Sequence, residues 1–481
     1  MERLERLKRW LPSRWRRSPG AGGARLEGSG STHEVLKLSW PIAAAMLGDT
    51  AMGLVDTKLV GVLGPSALAG VGLATVLMYT NYSVVFGLMR GVKVRVAYAL
   101  GQDRPQDAAR YAHAGVLLGF LCGALVWVLA RDATWALEAL RVDPSLVPYA
   151  RDFLAARTVA APASCVLSAM VQYRQGLGDS RTPMRVSLAG NVLNALLAWA
   201  LIHGALGLPA LGVRGAGYAT ALVETLNASV LLLRLHRESA QGPRSKLGLL
   251  AALKEVCGLG VPTGLQFGVE TLAFTAFTAV LGGMGAVQMA ANQVALSILR
   301  VSFLPGIAVS EAASVLVGKA LGRRRLPEAD AVTASALRVA ITFMCACGVV
   351  FALVGEHIAA SFTTDREVVA VVRRLLLAAA VFQLGDAVNI VLRGALRGAR
   401  DVRAVMVIGV VVVWVTLPGA AWLFGKHYGL GALGAWLGFI AETALASALL
   451  AWRWLRGSWR EEYPSPREQS APNGIQALPA L

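Results

Sequence analysis

Charge is scarce in this chain. Only 16% of its 481 residues are Asp, Glu, Lys or Arg, against about 25% in a soluble domain. That shortage excludes an ordinary soluble globule. Cysteine is scarce too. The five residues Cys122, Cys165, Cys257, Cys345 and Cys347 all fall in or beside apolar stretches. An odd number in such places argues against a disulfide framework, and Cys345 and Cys347 lack zinc spacing. They read as small buried hydrophobes. No metal-ligand cluster, phosphate-binding glycine loop or nucleophile motif occurs, which argues against an enzyme. Residues 1–36 are Arg-rich, with no apolar core or cleavage site, and read as a cytoplasmic tail instead of a signal peptide.

What is abundant is apolar sequence. Hydrophobic residues make up 56% of the chain, and the mean hydropathy is +0.56. Residues 38–63, 67–99, 112–130 and 147–173 each approach or exceed the roughly 20 residues that cross a bilayer. About twelve such spans follow one another, which predicts an all-α polytopic membrane protein. The net charge of +17 does not imply a nucleic-acid partner. Its arginines and lysines gather before the first span, in alternate loops such as Arg323–Arg325, and after the last span. The intervening loops 64–67 and 282–287 have almost none. This positive-inside asymmetry places both termini in the cytoplasm and the excess charge against anionic lipid.

The two halves resemble each other. Pro41 and Pro262 each lie a few residues into the first span of a half, 221 residues apart. The same shift carries Gly64 to Gly285 and Gly101 to Gly322; a shift of 222 carries Asp179 to Asp401. Each half therefore holds about six spans, and an even number makes the repeats parallel, about an axis along the membrane normal. Residues 37–238 are expected to form an N-lobe and residues 255–456 a C-lobe, joined by a cytoplasmic linker at 239–254. Residues 457–481 read as a disordered cytoplasmic tail. Two matched bundles that rock about a cleft are transporter architecture.

Seven acids fall inside spans: Asp49, Asp56, Glu224, Glu270, Glu311, Asp386 and Glu442. A carboxylate there is costly and faces a bundle interior or a watery cavity. Asp49 and Asp56 are seven residues apart and share a helix face. The 221-residue shift pairs Asp49 with Glu270, and Gln266 stands one turn before Glu270. A buried acid in a wet cavity takes up a proton or a sodium ion on one side and releases it on the other, which is what an antiporter needs. Glu224 and Glu442 sit in matched "ET" motifs and read as structural acids. Glu311 reads equally as functional or as paired with a basic group.

Four stretches, in order, resemble the MATE family, the multidrug and toxic compound extrusion transporters of the MOP flippase superfamily. They are "MGLVDTKLVGVLG" (Met52–Gly64), "LGVPTGLQFGVETLAF" (Leu259–Phe274), "AASVLVGKALG" (Ala312–Gly322) and "FQLGDAVNIVLRGALRGARD" (Phe382–Asp401). The resemblance spans roughly residues 36–456. It implies two six-helix lobes around a V-shaped cleft, and efflux of organic cations or amphipathic compounds in exchange for Na+ or H+. It makes Glu270 and Asp386 cation ligands in the sodium-coupled branch, and Asp56 central in the proton-coupled branch. Two positions depart from the family pattern. Ala198 stands where proton-coupled members often carry an Asp four residues after Asn194, and Phe382 stands where a Tyr often precedes the tenth-span acid.

Glu270 and Asp386 are thus expected to bind the coupling cation, as Na+ or H+, with Asp56 as a further protonatable group. Asp49, Gln266, Asn194 and Phe382 are secondary candidates. Tyr79, Tyr82, Phe267 and Phe274 are candidates for the wall of the substrate cleft. No cofactor is expected, and the partners are small molecules, the coupling ion and lipid. A monomer in a bacterial inner membrane is expected. Two rivals stand beside this reading. A lipid-linked oligosaccharide flippase would use a basic cleft, to which Arg90, Lys93, Arg95 and Arg300 would contribute. A passive pore would show no ion dependence.

Overall fold

A computed structural model describes residues 31–130, 142–205, 207–241, 245–461 and 463. Its first half contains α1 (Thr32–Gly61), α2 (Pro65–Gly101), α3 (Pro105–Ala130), α4 (Val147–Thr158), α5 (Ala161–Leu177), α6 (Arg181–His203) and α7 (Val213–Gln241). The second half contains α8 (Leu249–Gly282), α9 (Ala286–Gly322), α10 (Leu326–Ala360), α11 (Arg366–Gly398), α12 (Val402–Ala420) and α13 (Gly431–Arg456). Eleven helices among the described residues are long and apolar enough to cross a bilayer, and the bent pair α4–α5 makes a twelfth span. Helices are the expected answer, because inside hydrocarbon every backbone N–H and C=O must be satisfied within the segment.

The fourth span is not one straight helix. It bends by 56° between α4 and α5, with Pro162 in the first turn of α5. Proline has no N–H to give to the preceding turn and its ring clashes with that turn's carbonyl, so the chain turns there. Pro418 has a milder effect in α12, which runs on as a π-helical turn at Ala421–His427.

The chain boundaries differ from the sequence expectation at three places. The first helix begins at Thr32, where the Ser31 hydroxyl accepts the Glu34 amide at 3.4 Å. That is earlier than a tail ending at residue 36, and residues 1–30 lie outside the described residues. Helix α7 runs to Gln241 and α8 starts at Leu249, so the linker is shorter than 239–254; residues 242–244 lie outside the described residues. The expected disordered tail begins with order. Trp459 is buried against Trp454, their ring centroids 4.6 Å apart. Arg460 pairs with Asp330 at 2.6 Å, and the Tyr463 hydroxyl accepts from Arg400 at 2.8 Å. Aromatic burial holds this segment against the C-lobe. Residue 462 and residues 464–481 lie outside the described residues.

The repeat is visible in the packing. Helices α1 to α7 pack on one another as one bundle and α8 to α13 as another. Between the bundles α2 lies along α8 and α1 lies along α9. An axis that exchanges α1 with α8 and α2 with α9 also exchanges these two contacts, as a parallel repeat requires. The lobes meet tightly at the end that carries the basic loops. A Cβ on Gly101 would stand 2.8 Å from the Gly322 Cα, so only glycine lets these backbones approach so closely. Beside them Lys319 Nζ donates across the lobes to the Leu177 carbonyl at 3.0 Å, and Leu38 packs with Ala97, Ala312 and Val315.

Candidate functional site

Asp56 stands on α1 about one and a half turns from its end. The Asn194 amide on α6 donates to both its oxygens, at 3.0 and 3.2 Å. Asn194 is buried and Asp56 is half-buried. One turn pair earlier, Asp49 is exposed and accepts from Ser187 at 2.6 Å and from Asn191 at 2.9 Å, both on α6. The shared face of the two aspartates therefore meets one polar stripe: Ser187, Asn191 and Asn194. The sequence expectation included only Asn194. The signal for the others was present, since the three recur at a spacing of four and three on an otherwise apolar helix. No ion pair to Asp49 or Asp56 occurs among the described residues.

The second half places its acids differently. Glu270 on α8 uses one oxygen for two donors, the Gln266 amide at 2.9 Å and the Arg393 guanidinium at 2.8 Å. Arg393, on α11, also reaches Glu442 on α13 at 3.1 Å and donates through Nε to the Asn389 side-chain oxygen at 2.8 Å. Asn389 donates to Glu442 at 3.2 Å. One arginine thus holds two carboxylates between three helices, with an amide filling the remaining valences. Such a pair in low dielectric persists only when its leftover groups are satisfied. The α12 backbone comes close here at Gly409, whose missing Cβ would stand 2.6 Å from both the Gln266 amide nitrogen and the Glu270 oxygen.

Asp386 lies on the same helix as Arg393, two turns earlier, and is buried. It takes part in none of the hydrogen bonds or ion pairs among the described residues. It lies within electrostatic range of Glu442 and Arg393. Among the described residues no group of three or more His, Cys, Asp or Glu gathers as a metal site. A sodium ion at Glu270 and Asp386 would therefore draw its other oxygens from amides and carbonyls.

The remaining acids are held by bases. Glu224 pairs with Arg157 at 2.5 Å and also accepts from Ser164. Glu442 is bound as above, so both "ET" acids are ion-paired, each in the middle of its helix. Glu311 on α9 pairs across the lobes with Arg90, at 2.7 Å, and with Lys93. Of the other basic residues weighed for a flippase cleft, Arg95 pairs with Glu255 at 3.3 Å and Arg300 is exposed.

The aromatic candidates divide. Tyr79 is 63% and Phe274 42% exposed. Tyr82 is buried and stacks on Phe86, centroids 5.8 Å apart. Phe382 is buried in a cluster with Trp436 and Phe439, its centroid 6.2 and 5.7 Å from theirs, so it serves packing within the lobe. The Phe267 ring is occupied: Arg90 lies 4.3 Å and Arg397 5.4 Å from its centroid, a cation–π arrangement.

Twelve spans in two like bundles, closed on each other at one end and carrying carboxylates within them, define a multi-pass membrane transporter of two lobes, and not an enzyme. The MatE family model matches residues 41–200 and 262–422, two stretches displaced by the same 221 to 222 residues as the internal repeat. The chain belongs to this family, the MATE transporters. It is 33% identical over 437 residues to the probable multidrug resistance protein NorM of Burkholderia mallei, covering 88% of this chain and 92% of that one. It is 28% identical over 441 residues to the multidrug resistance protein MdtK of Yersinia enterocolitica, covering 90% and 96%. The fold is similar to an outward-facing multidrug resistance MATE family transporter of the MOP superfamily, with a TM-score of 0.81 at 21% identity, over 91% of this chain and 99% of that one.

Proposed function

We propose that the chain is a secondary multidrug antiporter. It exports organic cations or amphipathic compounds across a bacterial inner membrane in exchange for Na+ or H+. The family and the named function of its relatives support efflux. The observation that carries the ion coupling is the condition of two acids: Asp56 and Asp386 lie within spans and form no ion pair among the described residues. A carboxylate in that position is free to hold a small cation and to exchange it. Glu270 is the third ligand and becomes available when Arg393 gives it up to Glu442. Gln266 and Asn194 position Glu270 and Asp56. Asp49, held by Ser187 and Asn191 on the same stripe of α6, shares that helix face with Asp56. With the basic loops on the cytoplasmic face, the closed end is cytoplasmic and both termini lie there. The cleft then opens outward, between walls that include Tyr79 and Phe274.

A flippase reading is weaker, because Lys93 and one nitrogen of Arg90, two of the cations a pyrophosphate head would use, are already paired with Glu311. The test is transport of a fluorescent organic cation in proteoliposomes under an imposed sodium or proton gradient. The expected result is gradient-driven transport that falls at least about tenfold in Asp386→Asn and in Asp56→Asn. Transport indifferent to both gradients would indicate a pore. Movement of a lipid-linked sugar and of no organic cation would indicate a flippase.

A further inference from the structure

A second charged cluster lies between the lobes, apart from Asp56 and Asp386. It lines a small chamber with Arg90 and Lys93 from α2, Glu311 and Ser314 from α9, and Arg397 from α11. Three basic groups therefore face one carboxylate. Glu311 is engaged by Arg90 and Lys93. Arg397 spends one nitrogen on the Gln266 oxygen at 3.1 Å, and Glu270 and Glu442 are already committed to Arg393. Donors are left over: Arg397 Nε, Arg90 Nε and Nη1 and the Ser314 hydroxyl are buried with no hydrogen-bond partner among the described residues. Arg397 is only 8% and Ser314 only 3% exposed.

Buried donors without acceptors, and buried positive charge without a counter-charge, are each costly. One small anion relieves both, because it accepts from several N–H groups at once and cancels charge. The chamber's size narrows the choice. Its interior admits a guest about the size of one water. A phosphate-bearing head group is too large. We infer that this chamber is an anion site that holds a single chloride ion between the lobes, bound by Arg90, Arg397 and Ser314. Its walls come from both lobes, so the ion is held in the arrangement closed at the basic end and is released when the lobes part there. The site is independent of which cation drives transport.

The test uses the full-length protein in lipid nanodiscs and measures thermal unfolding while chloride replaces gluconate at constant Na+ and ionic strength. The midpoint is expected to rise by about 3 °C, saturably, and to do so equally with bromide. Arg397→Gln is expected to abolish the rise. Ser314→Ala removes one donor and little else, and is expected to raise the chloride concentration for half effect about fivefold. If Arg397→Gln does not fold, Ser314→Ala decides, together with the anomalous signal of bromide in crystals, expected between Arg90, Arg397 and Ser314. Equal midpoints in chloride and gluconate would overturn the site. So would a response unchanged in Ser314→Ala, or bromide bound only elsewhere. No transport is measured, so failure here leaves the efflux proposal standing and failure of efflux leaves this site standing.

Discussion

Arg393 binds Glu270 and Glu442 at once, and this decides what each acid is free to do. Removing the guanidinium would strand two carboxylates inside the C-lobe. Arg393→Gln is therefore expected to destabilise the protein by about 3–5 kcal/mol, read as a large fall in the unfolding midpoint in detergent. Arg393→Lys is expected to recover only part of it, since an ammonium cannot span both acids with a planar fork. Nearby, Gly409 leaves room for the Gln266–Glu270 pair. Gly409→Val is expected to push that pair apart and to reduce ion-driven transport more than it reduces expression, measured in the same proteoliposomes.

At the scale of elements, the decisive contacts are those that close one end of the molecule. Helices α2 and α9 meet at Gly101 and Gly322, backbone against backbone. A side chain at Gly101 has no space while the lobes are together. Gly101→Leu is expected to shift the protein away from the arrangement closed at its basic end. Cysteine-accessibility labelling at positions buried there would show it, with labelling increased several-fold if the closed population falls. Unchanged labelling would mean that this contact does not hold the end shut. A second element-scale anchor is the turn at Ser458–Arg460. Trp459→Ala is expected to cost about 3 kcal/mol through lost burial against Trp454, again read as a lower unfolding midpoint.

For the whole molecule, transport by rocking requires the closed end to open. A cysteine pair at the exposed positions Gln102 and Arg323, which directly follow the two contact glycines, in a background with the five native cysteines replaced, bridges the lobes with a short thiol-reactive cross-linker. Cross-linking is expected to stop transport and cleavage of the linker to restore it. Continued transport in fully cross-linked protein would exclude rocking about this end. The same two-lobe design explains why ion-paired and unpaired acids coexist. Glu224 with Arg157 and Glu442 with Arg393 fasten the sixth span of each lobe to the fourth. Asp56 and Asp386 form no such ion pair among the described residues.

The sequence by itself determined the number of spans, the repeat and the acids placed within them. Each of these is written in local hydropathy, loop charge or a constant shift between halves, and needs no knowledge of which helix touches which. The bend of the fourth span was legible too, in Pro162, once its position in the span is considered. What only the tertiary structure decided is the partner of each acid. Glu270 meets Arg393 across 123 residues and Asp56 meets Asn194 across 138. Asp386 and Glu270 look alike in sequence, as acids in apolar helices, and differ only in what the packing sets against them. Phe267 and Tyr82 likewise read as cleft aromatics, and Phe382 as a secondary candidate before the coupling acid, until packing sets them in the lobe interior or under an arginine. The physical reason is range: hydropathy acts along the chain, whereas charge pairing inside a bilayer acts over a few ångströms between helices that the chain brings together only when it folds.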